Sequence, residues 1–462
     1  MKYHFIGVCG ISMSGLAEIL LRAGHNVTGS DMAESATADH LRRLGISVAV
    51  PNRAENIPDD TDTVVFTAAI RADNPEYIEA KRRGIKMLER AEMLGLLLEN
   101  YENSVCVAGS HGKTSTSALL AEIMLAADLD PTINVGGRLP VLDNANYRAG
   151  SSSYFLLESC EYSGSFHHFF PKVAIILNID ADHLDHYGTF ENVVASFRKF
   201  AGNVKSGGTL VVAHDIISVG SILLPTEIEK PTGKSLLPVE IVTFGLSEGD
   251  YTASNIEYNA HGQPSFDILH QGVFLAHVNL PLPGEYSMLN ALAVFAAACA
   301  LGISAETTAN ALSNVQGVKR RFEYKGEYNG ATIIDDYAHH PTEIVKCLAA
   351  ARQRTCIGKL YCIFQPHTYT RTRNHLADFC TAFGQADEVF LLPIYAAREP
   401  FDPSISSLHL QEGIGGSGGN VTHFDTHAMA VNHLKTLLQP GDMLITMGAG
   451  DVYLVGESLL ST

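Results

Sequence analysis

The 462-residue sequence has no C-x-x-C pair and no disulfide-type spacing among its eight cysteines, at 9, 106, 160, 299, 347, 356, 362 and 380. A disulfide framework is thereby excluded, and the apolar surroundings of most of these residues suit buried, reduced thiols. No uncharged apolar run approaches the ~18 residues that a membrane-crossing helix needs. The N-terminus runs into a strand-like segment without a long apolar leader. Both features lead us to expect a cytoplasmic protein. Positive charge is scarce as well: 32 Lys and Arg stand against 50 Asp and Glu, for a net charge of −18. That balance argues against nucleic acid or an anionic membrane as a partner. It leaves small anionic ligands open, because their sites are set locally. Core-forming material is plentiful. With 46% hydrophobic and 18% charged residues the chain is globular, and its length suggests about three domains.

Glycine is present in two loops, each short of a full fingerprint. After a strand-like run at 3–8, the loop Gly7-Val-Cys-Gly-Ile-Ser-Met-Ser-Gly15 opens a helix that continues to 23, and a second strand at 26–29 ends at Ser30 and Asp31. This is a βαβ opening with an acid about 20 positions after the loop. Cys9 and Ser12 stand where G-x-G-x-x-G requires glycine, which weighs against a nicotinamide cofactor. Gly7 and Gly10 still allow close backbone approach to the diphosphate of another nucleotide. The second loop lies within Val105-Cys-Val-Ala-Gly-Ser-His-Gly-Lys-Thr-Ser-Thr-Ser117, where Val107 replaces the first glycine of the general P-loop pattern. Gly109, Gly112, Lys113 and Thr114 nevertheless keep the order of strand, glycine loop and helix N-terminus by which a nucleoside triphosphate is held. Backbone N–H groups and the helix dipole meet phosphate oxygens, Lys113 adds a point charge, and the Thr114 hydroxyl can ligate magnesium.

The expected fold class is α/β with three domains, at 1–100, 101–316 and 317–462: a Rossmann-like N-terminal domain, a central P-loop ATPase-like parallel sheet with a small β excursion, and a Rossmann-like C-terminal domain. Strands are expected at 63–67, 154–158, 173–179 and 209–213, a β-rich excursion over 240–280, and an Ala-rich helix at 289–301. The third domain reads as strand 332–335, helix 341–351, strand 360–364, helix 373–383, and strands 388–392 and 442–447. Residues 94–102 read as a bridge into the P-loop strand, and 413–419 as a flexible glycine loop.

Two strand ends in the central domain carry acids, Glu158-Ser-Cys-Glu161 and Asn178-Ile-Asp-Ala-Asp-His-Leu-Asp-His186. Neighbouring strands of a parallel sheet end on one edge, beside the phosphate loop, where a carboxylate can hold magnesium. Taken singly, Glu161, Asp180, Asp182, Asp185 and His186 read as helix caps and satisfied polar groups. His183 is an unusual magnesium ligand, since hard cations prefer oxygen.

Together with Arg320-Arg-Phe-Glu323 and Asp335-Asp-Tyr-Ala-His-His-Pro341, these motifs resemble the Mur ligases, the ATP-dependent amide-forming enzymes of peptidoglycan precursor synthesis. The resemblance covers nearly the whole chain. Phe364-Gln-Pro-His-Thr-Tyr-Thr-Arg-Thr-Arg373, Ile394-Tyr-Ala-Ala-Arg-Glu399 and Gly448-Ala-Gly-Asp451, with the early glycine loop, resemble the branch that adds L-alanine to UDP-N-acetylmuramate.

The resemblance implies ATP and Mg2+ as cofactors and an acyl-phosphate intermediate. It implies catalytic roles for Lys113, Glu158, His183 and Arg321, with Thr114, Glu158 and His183 on metal. ATP would be bound by Gly109, Ser110, His111, Gly112, Lys113, Thr114, Ser115, Asn290, Arg321 and Asp336. For the other substrates it implies Gly7, Gly10, Ser12, Ser14, Ser30 and Asp31 at the sugar nucleotide, and Tyr337, His339, His367 and Arg371 near the amine. Departures are Tyr286 and Ser287, where many members carry His-Asn, and Thr368, where some carry arginine. Phe197 falls where several related ligases carry a carbamylated lysine, so no carbamate is expected. The rival readings are the recycling branch that joins an intact tripeptide to UDP-N-acetylmuramate, folylpolyglutamate synthase, a Rossmann-type oxidoreductase, and a nucleotide-binding regulator without catalysis.

Overall fold

The structure, a computed structural model, describes residues 1–67, 70–218, 238–354, 358–397 and 399–461. Cys356, and Arg398 of the 394–399 motif, lie outside the described residues. Two compact units emerge, residues 1–251 with 293–311, and residues 252–292 with 312–462. Among the described residues no helix is long and apolar enough to cross a membrane.

The first unit begins with five parallel strands, β1 (Lys2–Ile6), β2 (Asn26–Ser30), β3 (Ser47–Ala49), β4 (Thr63–Phe66) and β5 (Lys86–Glu89), ordered β3-β2-β1-β4-β5. In this doubly wound order the winding reverses beside β1, leaving a crevice for a ligand at the carboxyl ends of the strands. Phe5 and Ile6 are fully buried because helices cover both faces of such a sheet. Gly7, at φ 79°, makes the turn from β1 into the helix Ile11–Arg22. Residues 94–102, expected as a bridge, are mostly the end of a helix, Arg90–Leu98, started by a reciprocal Glu89–Glu92 cap.

The same unit holds β6 (Asn103–Ala108), β7 (Thr132–Leu139), β8 (Ala145–Arg148), β9 (Tyr154–Glu158), β10 (Val173–Ile176), β11 (Thr209–Ala213) and β12 (Glu240–Phe244). Their order is β12-β11-β10-β6-β9-β7-β8, and only β8 runs antiparallel to its neighbour. The P-loop strand β6 is central, and β9 and β10 flank it, so their acidic ends share its edge. Strand β10 stops three residues short of the expected end because Asn178 turns onto the P-loop backbone. The β7–β8 hairpin was not expected, since Gly136, Gly137 and Pro140 break its alternation.

In the second unit, β13 (Tyr251–Tyr258) from Thr252 on, β14 (Pro264–His270) and β15 (Val273–Asn279) form the β excursion. The helix that follows begins one turn earlier than expected, at Glu285–Ala300. A six-stranded sheet of β16 (Glu323–Tyr328), β17 (Ala331–Asp336), β18 (Leu360–Phe364), β19 (Glu388–Leu391), β20 (Val421–His423) and β21 (Met443–Met447) is ordered β16-β17-β21-β18-β19-β20. It is parallel except for β16. Alternate residues build two cores, Cys362, Phe364 and Ile445 on one face and Tyr361, Ile363 and Leu444 on the other. The helix expected at 373–383 is two pieces, Tyr369–Asn374 and Leu376–Ala382, broken at His375. The expected glycine loop at 413–419 is corrected too: Gly413 to Gly416 finish the helix Ser407–Gly416. Ser406 and His409 cap that helix reciprocally, and Leu410 and Ile414 are buried. Gly413 packs close to the neighbouring helix, and a Cβ there would lie 2.0 Å from Cys380 Sγ, so that thiol would have to move.

Candidate active site

Gly109 leaves β6 at φ 150° and Gly112 caps the helix Lys113–Ala126 at φ 81°, backbone conformations that favour glycine. Lys113 folds back over this loop. Its Nζ donates to Gly109 O at 2.6 Å and Ser110 O at 3.0 Å and pairs with Glu161 Oε2 at 2.8 Å. Burial works against the ammonium, but the Glu161 carboxylate outweighs it and holds the Lys113 pKa above the ordinary lysine value. Asn178 grips the loop from the end of β10, its Oδ1 accepting from His111 N at 2.8 Å and its Nδ2 donating to His111 O at 3.1 Å. Asp180 continues the grip: its N donates to Ser110 Oγ at 2.8 Å, and its carboxylate lies 3.0 Å from His111 Nε2. Ser115 follows in the first helical turn.

Glu158, at the end of β9, accepts from Thr114 Oγ1 at 2.9 Å and from Gly136 N at 2.6 Å. A hydroxyl beside a carboxylate is an oxygen donor set of the kind magnesium takes. His183 starts a short helix in the left-handed region, φ 56° and ψ 34°. Its Nε2 lies 3.6 Å from Glu161 Oε1 and 3.7 Å from Asp182 Oδ2. Asp182 itself caps the backbone, accepting from His183 N at 2.7 Å. Glu161, 1% exposed, therefore lies against both the phosphate-loop lysine and the histidine. On β7, the Asn134 Nδ2 is buried and has no hydrogen-bond partner among the described residues.

At the N-terminal loop, Gly7 N and Val8 N both donate to Ser30 O at 2.9 Å, and Cys9 N donates to Asp31 Oδ2 at 2.8 Å. Ser30 and Asp31 thus build the loop as well as flank it. The Ser30 hydroxyl donates to the buried Glu76 carboxylate, which also accepts from Asn56 Nδ2 at 2.7 Å and Arg53 N at 3.0 Å. Ser12 Oγ accepts from Arg90 at 3.0 Å, and Ser14 Oγ donates to Ile11 O at 3.3 Å.

In the second unit Asp336, Tyr337, His339, His367 and Arg371 lie at or just after the carboxyl ends of β17 and β18, Arg321 precedes β16, and Asn290 lies apart in sequence on a helix. Asp336 accepts from Phe322 N and Ala338 N, both at 2.7 Å, and burial pushes its carboxyl up to about 6 despite nearby Arg321. The Arg321 guanidinium lies over the Tyr337 ring at 5.1 Å. His339 Nδ1 donates to Tyr337 O at 2.9 Å, and burial, aided by Arg371 against Glu343, pulls its pKa down to about 4. His367 stacks on Tyr395 and accepts from Arg371 at 3.3 Å; burial and Arg371 pull it down to about 4. Both rings are therefore neutral near neutral pH, and the local positive charge is that of the arginines. Thr368 caps the short helix that carries Arg371, accepting from Arg371 N at 3.4 Å. Asn290 is buried in the helix Glu285–Ala300, and Tyr286 packs against the C-terminal core.

Three family models match in sequence along the chain: Mur ligase family, catalytic domain, over residues 2–102; Mur ligase middle domain, over 107–298; and Mur ligase, glutamate ligase domain, over 320–450. A UDP-N-acetylmuramate–L-alanine ligase of Clostridium beijerinckii is 44% identical over 99% of this chain and 97% of its own. The chain belongs to the Mur ligase family. A Clostridium acetobutylicum protein of the same name is 43% identical over 100% of this chain and 97% of its own. Among solved structures, a UDP-N-acetylmuramate-alanine ligase from Thermotoga maritima superposes with a TM-score of 0.79 at 27% identity, over 100% of this chain and 98% of that one. A murein peptide ligase from Psychrobacter arcticus, at TM-score 0.67 and 24% identity, shares the fold.

In this Mur ligase, with its three-domain α/β fold, three residues beside the expected ones carry geometry that the sequence did not single out. Glu161 holds Lys113, Asn134 presents a buried free donor, and Arg320 fixes the last loop. Arg320 donates to Asp335 Oδ2 at 2.9 Å, Gly450 O at 3.1 Å and Gly448 O at 2.7 Å, and its guanidinium shares the Tyr337 ring with that of Arg321, at 5.0 and 5.1 Å. The signal for Glu161 was present as a second acid three residues after Glu158, on the same strand end.

Proposed function

We propose that this Mur ligase joins L-alanine to the lactyl carboxylate of UDP-N-acetylmuramate at the expense of ATP. The observation that carries the reading is the edge where β9, β6 and β10 end together, with Lys113 on Glu161 and Thr114 on Glu158. The names and identities of the relatives support alanine as the amine.

A carboxylate does not acylate an amine at neutral pH, because oxide would have to leave. Attack of its oxygen on the γ-phosphorus of ATP forms a P–O bond and breaks the bond to the β-phosphate, releasing ADP and leaving an acyl phosphate. The alanine amine then attacks the acyl carbon, phosphate departs and the nitrogen loses a proton. Lys113 and the loop N–H groups would neutralise charge on the moving phosphoryl group, so catalysis is mainly positioning and electrostatics. The donor set fits Mg2+: Thr114 and Glu158 would hold it, with His183 on a second ion, and the metal would supply charge neutralisation there. Glu161 is then available to adjust Lys113 as phosphate replaces it. Asp336, Arg321 and Asn290 are assigned to the nucleoside of ATP, the glycine loop from Gly7 to Ser14 to the UDP diphosphate, and Ser30 and Asp31 to its uridine side. Arg371, oriented by neutral His367 and beside His339 and Tyr337, is assigned to the alanine carboxylate. Domains at 1–100, 101–316 and 317–462 would carry the sugar nucleotide, ATP and amino acid, in the cytoplasm where these substrates occur.

The test is phosphate release from ATP with magnesium and UDP-N-acetylmuramate, comparing added L-alanine with added tripeptide. Release driven by alanine is expected. Release driven only by tripeptide would move the chain to the recycling reaction and overturn the choice of amine.

A further inference from the structure

The β7–β8 hairpin touches both the start of the first helix and the Glu158 carboxylate, and its contacts are unusually specific. Asn146, 5% exposed, uses its Nδ2 twice, donating to Ile11 O at 3.2 Å and to Val135 O at 3.2 Å. Ile11 opens the helix that follows the N-terminal glycine loop. Val135 precedes Gly136, whose N–H holds Glu158 Oε2 at 2.6 Å while the other carboxylate oxygen accepts from Thr114. Two glycines permit the fit. A Cβ at Gly136 would lie 2.5 Å from Glu158 Oε1, and one at Gly15 would lie 2.8 Å from the Tyr147 ring. The Tyr147 hydroxyl donates to Glu18 on the first helix, and His40 Nε2 lies 2.9 Å from the same oxygen. Helix and hairpin are thereby tied at both ends of the contact.

We propose that Asn146 is a positioning residue that couples occupancy of the N-terminal glycine loop to the geometry of Glu158, so that bound sugar nucleotide tightens the site for magnesium and nucleotide. The proposal rests on the assignment of those two ligands made above. The link runs from a loop backbone, through one buried amide, along one strand residue, to the carboxylate. Each contact is a hydrogen bond or a glycine-enabled approach, so a displacement of Ile11 is passed on with little slack. A coupling of this kind is reciprocal in binding free energy.

The experiment is calorimetric titration of the full chain with Mg·ADP, with and without saturating UDP-N-acetylmuramate. In the wild type the sugar nucleotide should tighten Mg·ADP by about tenfold, and the same factor should appear with the titration order reversed. In Asn146→Ala the factor should fall to within about twofold, while the affinity for each ligand alone stays close to wild type. Should Asn146→Ala not fold, Gly136→Ala addresses the other end of the link and should likewise lose the coupling, with UDP-N-acetylmuramate binding alone unchanged. Wild-type coupling retained in the variant, or no coupling in a wild type that binds both ligands, overturns the inference alone. A wild type that binds neither ligand overturns the functional reading as well.

Discussion

Glu161→Gln tests the ion pair at the centre of the site. The substitution keeps the shape of the side chain and removes its charge, leaving the Lys113 ammonium with Gly109 O and Ser110 O. At 2.8 Å and an effective dielectric of ~20 the pair attracts by about 6 kcal/mol. Desolvation of two buried ions cancels much of that gain, so the intact pair adds little net stability. Removing one partner is different, because it strands the other charge. Such losses run at about 3–5 kcal/mol, and the amide oxygen left behind places this one near about 3 kcal/mol. For a body of this size that corresponds to a fall in melting temperature of about 6 °C. The Lys113 pKa is raised, so the pair's contribution is fully present below the unfolded lysine value, and an assay at about pH 7 sees all of it. ATP or ADP phosphates should replace the lost charge. With saturating Mg·ADP the deficit should therefore shrink to about 1 kcal/mol, which requires the variant to bind Mg·ADP about 30-fold more tightly than wild type. Scanning calorimetry with and without Mg·ADP reads both quantities. An equal deficit in the two conditions would show that Lys113 does not exchange Glu161 for phosphate, and the reasoning would fail.

Arg371→Ala should raise the Michaelis constant for alanine by about 100-fold, the value of about 3 kcal/mol for a charged hydrogen-bonded contact, and leave that for ATP nearly unchanged; an unchanged alanine dependence removes Arg371 from the site. Asp336→Asn should flatten one limb of the stability–pH profile. The native carboxyl, raised from 3.8 to about 6, binds its proton more tightly than the unfolded chain does, so the wild type should lose about 3 kcal/mol as pH rises from about 4 to about 6. Urea titrations across that range that give parallel profiles for the two proteins would refute the shift. Gly413→Ala should destabilise by about 1 kcal/mol net, the cost of about 2 kcal/mol for displacing Cys380 Sγ less the gain of about 1 kcal/mol that alanine brings to a helix interior. Chemical denaturation showing a gain in stability would refute the close approach of Gly413 to Cys380.

The order of elements was legible where apolar runs were bounded by glycine, as at β1, β6 and β18, and there the motifs sit where the strands end. It was not legible in β7 and β8, whose pairing survives Gly136, Gly137 and Pro140 because the strand leans on β9 and on the first helix. Composition misled at 413–416: three of those four residues are glycine, yet burial of Leu410 and Ile414 and the cap at Ser406 decide for helix. In the site, Lys113, Thr114, Glu158 and His183 were singled out by motif, and the structure sorts them into two neighbouring groups, Lys113 and His183 on either side of Glu161, and Thr114 with Gly136 N on Glu158. Glu161 was passed over because an acid after a strand has the same sequence signature whether it caps a helix or meets a lysine. Only the fold of the P-loop, which bends Lys113 back over Gly109 and Ser110, tells these apart.

The interleaving of the two compact units in sequence has a consequence for how the chain is made. As the polypeptide leaves the ribosome, residues 252–292 of the second unit emerge before residues 293–311 have completed the first. Tyr251 and the buried Phe295, whose rings meet at 6.3 Å, are joined only after that intervening segment is out. Until then Tyr251 lacks the ring it packs against, and unfinished apolar surface of this kind is prone to aggregation. No single cut separates the two units whole. A fragment ending at 251 lacks part of its own core, and one ending at 311 carries the second unit's first segment as an orphan.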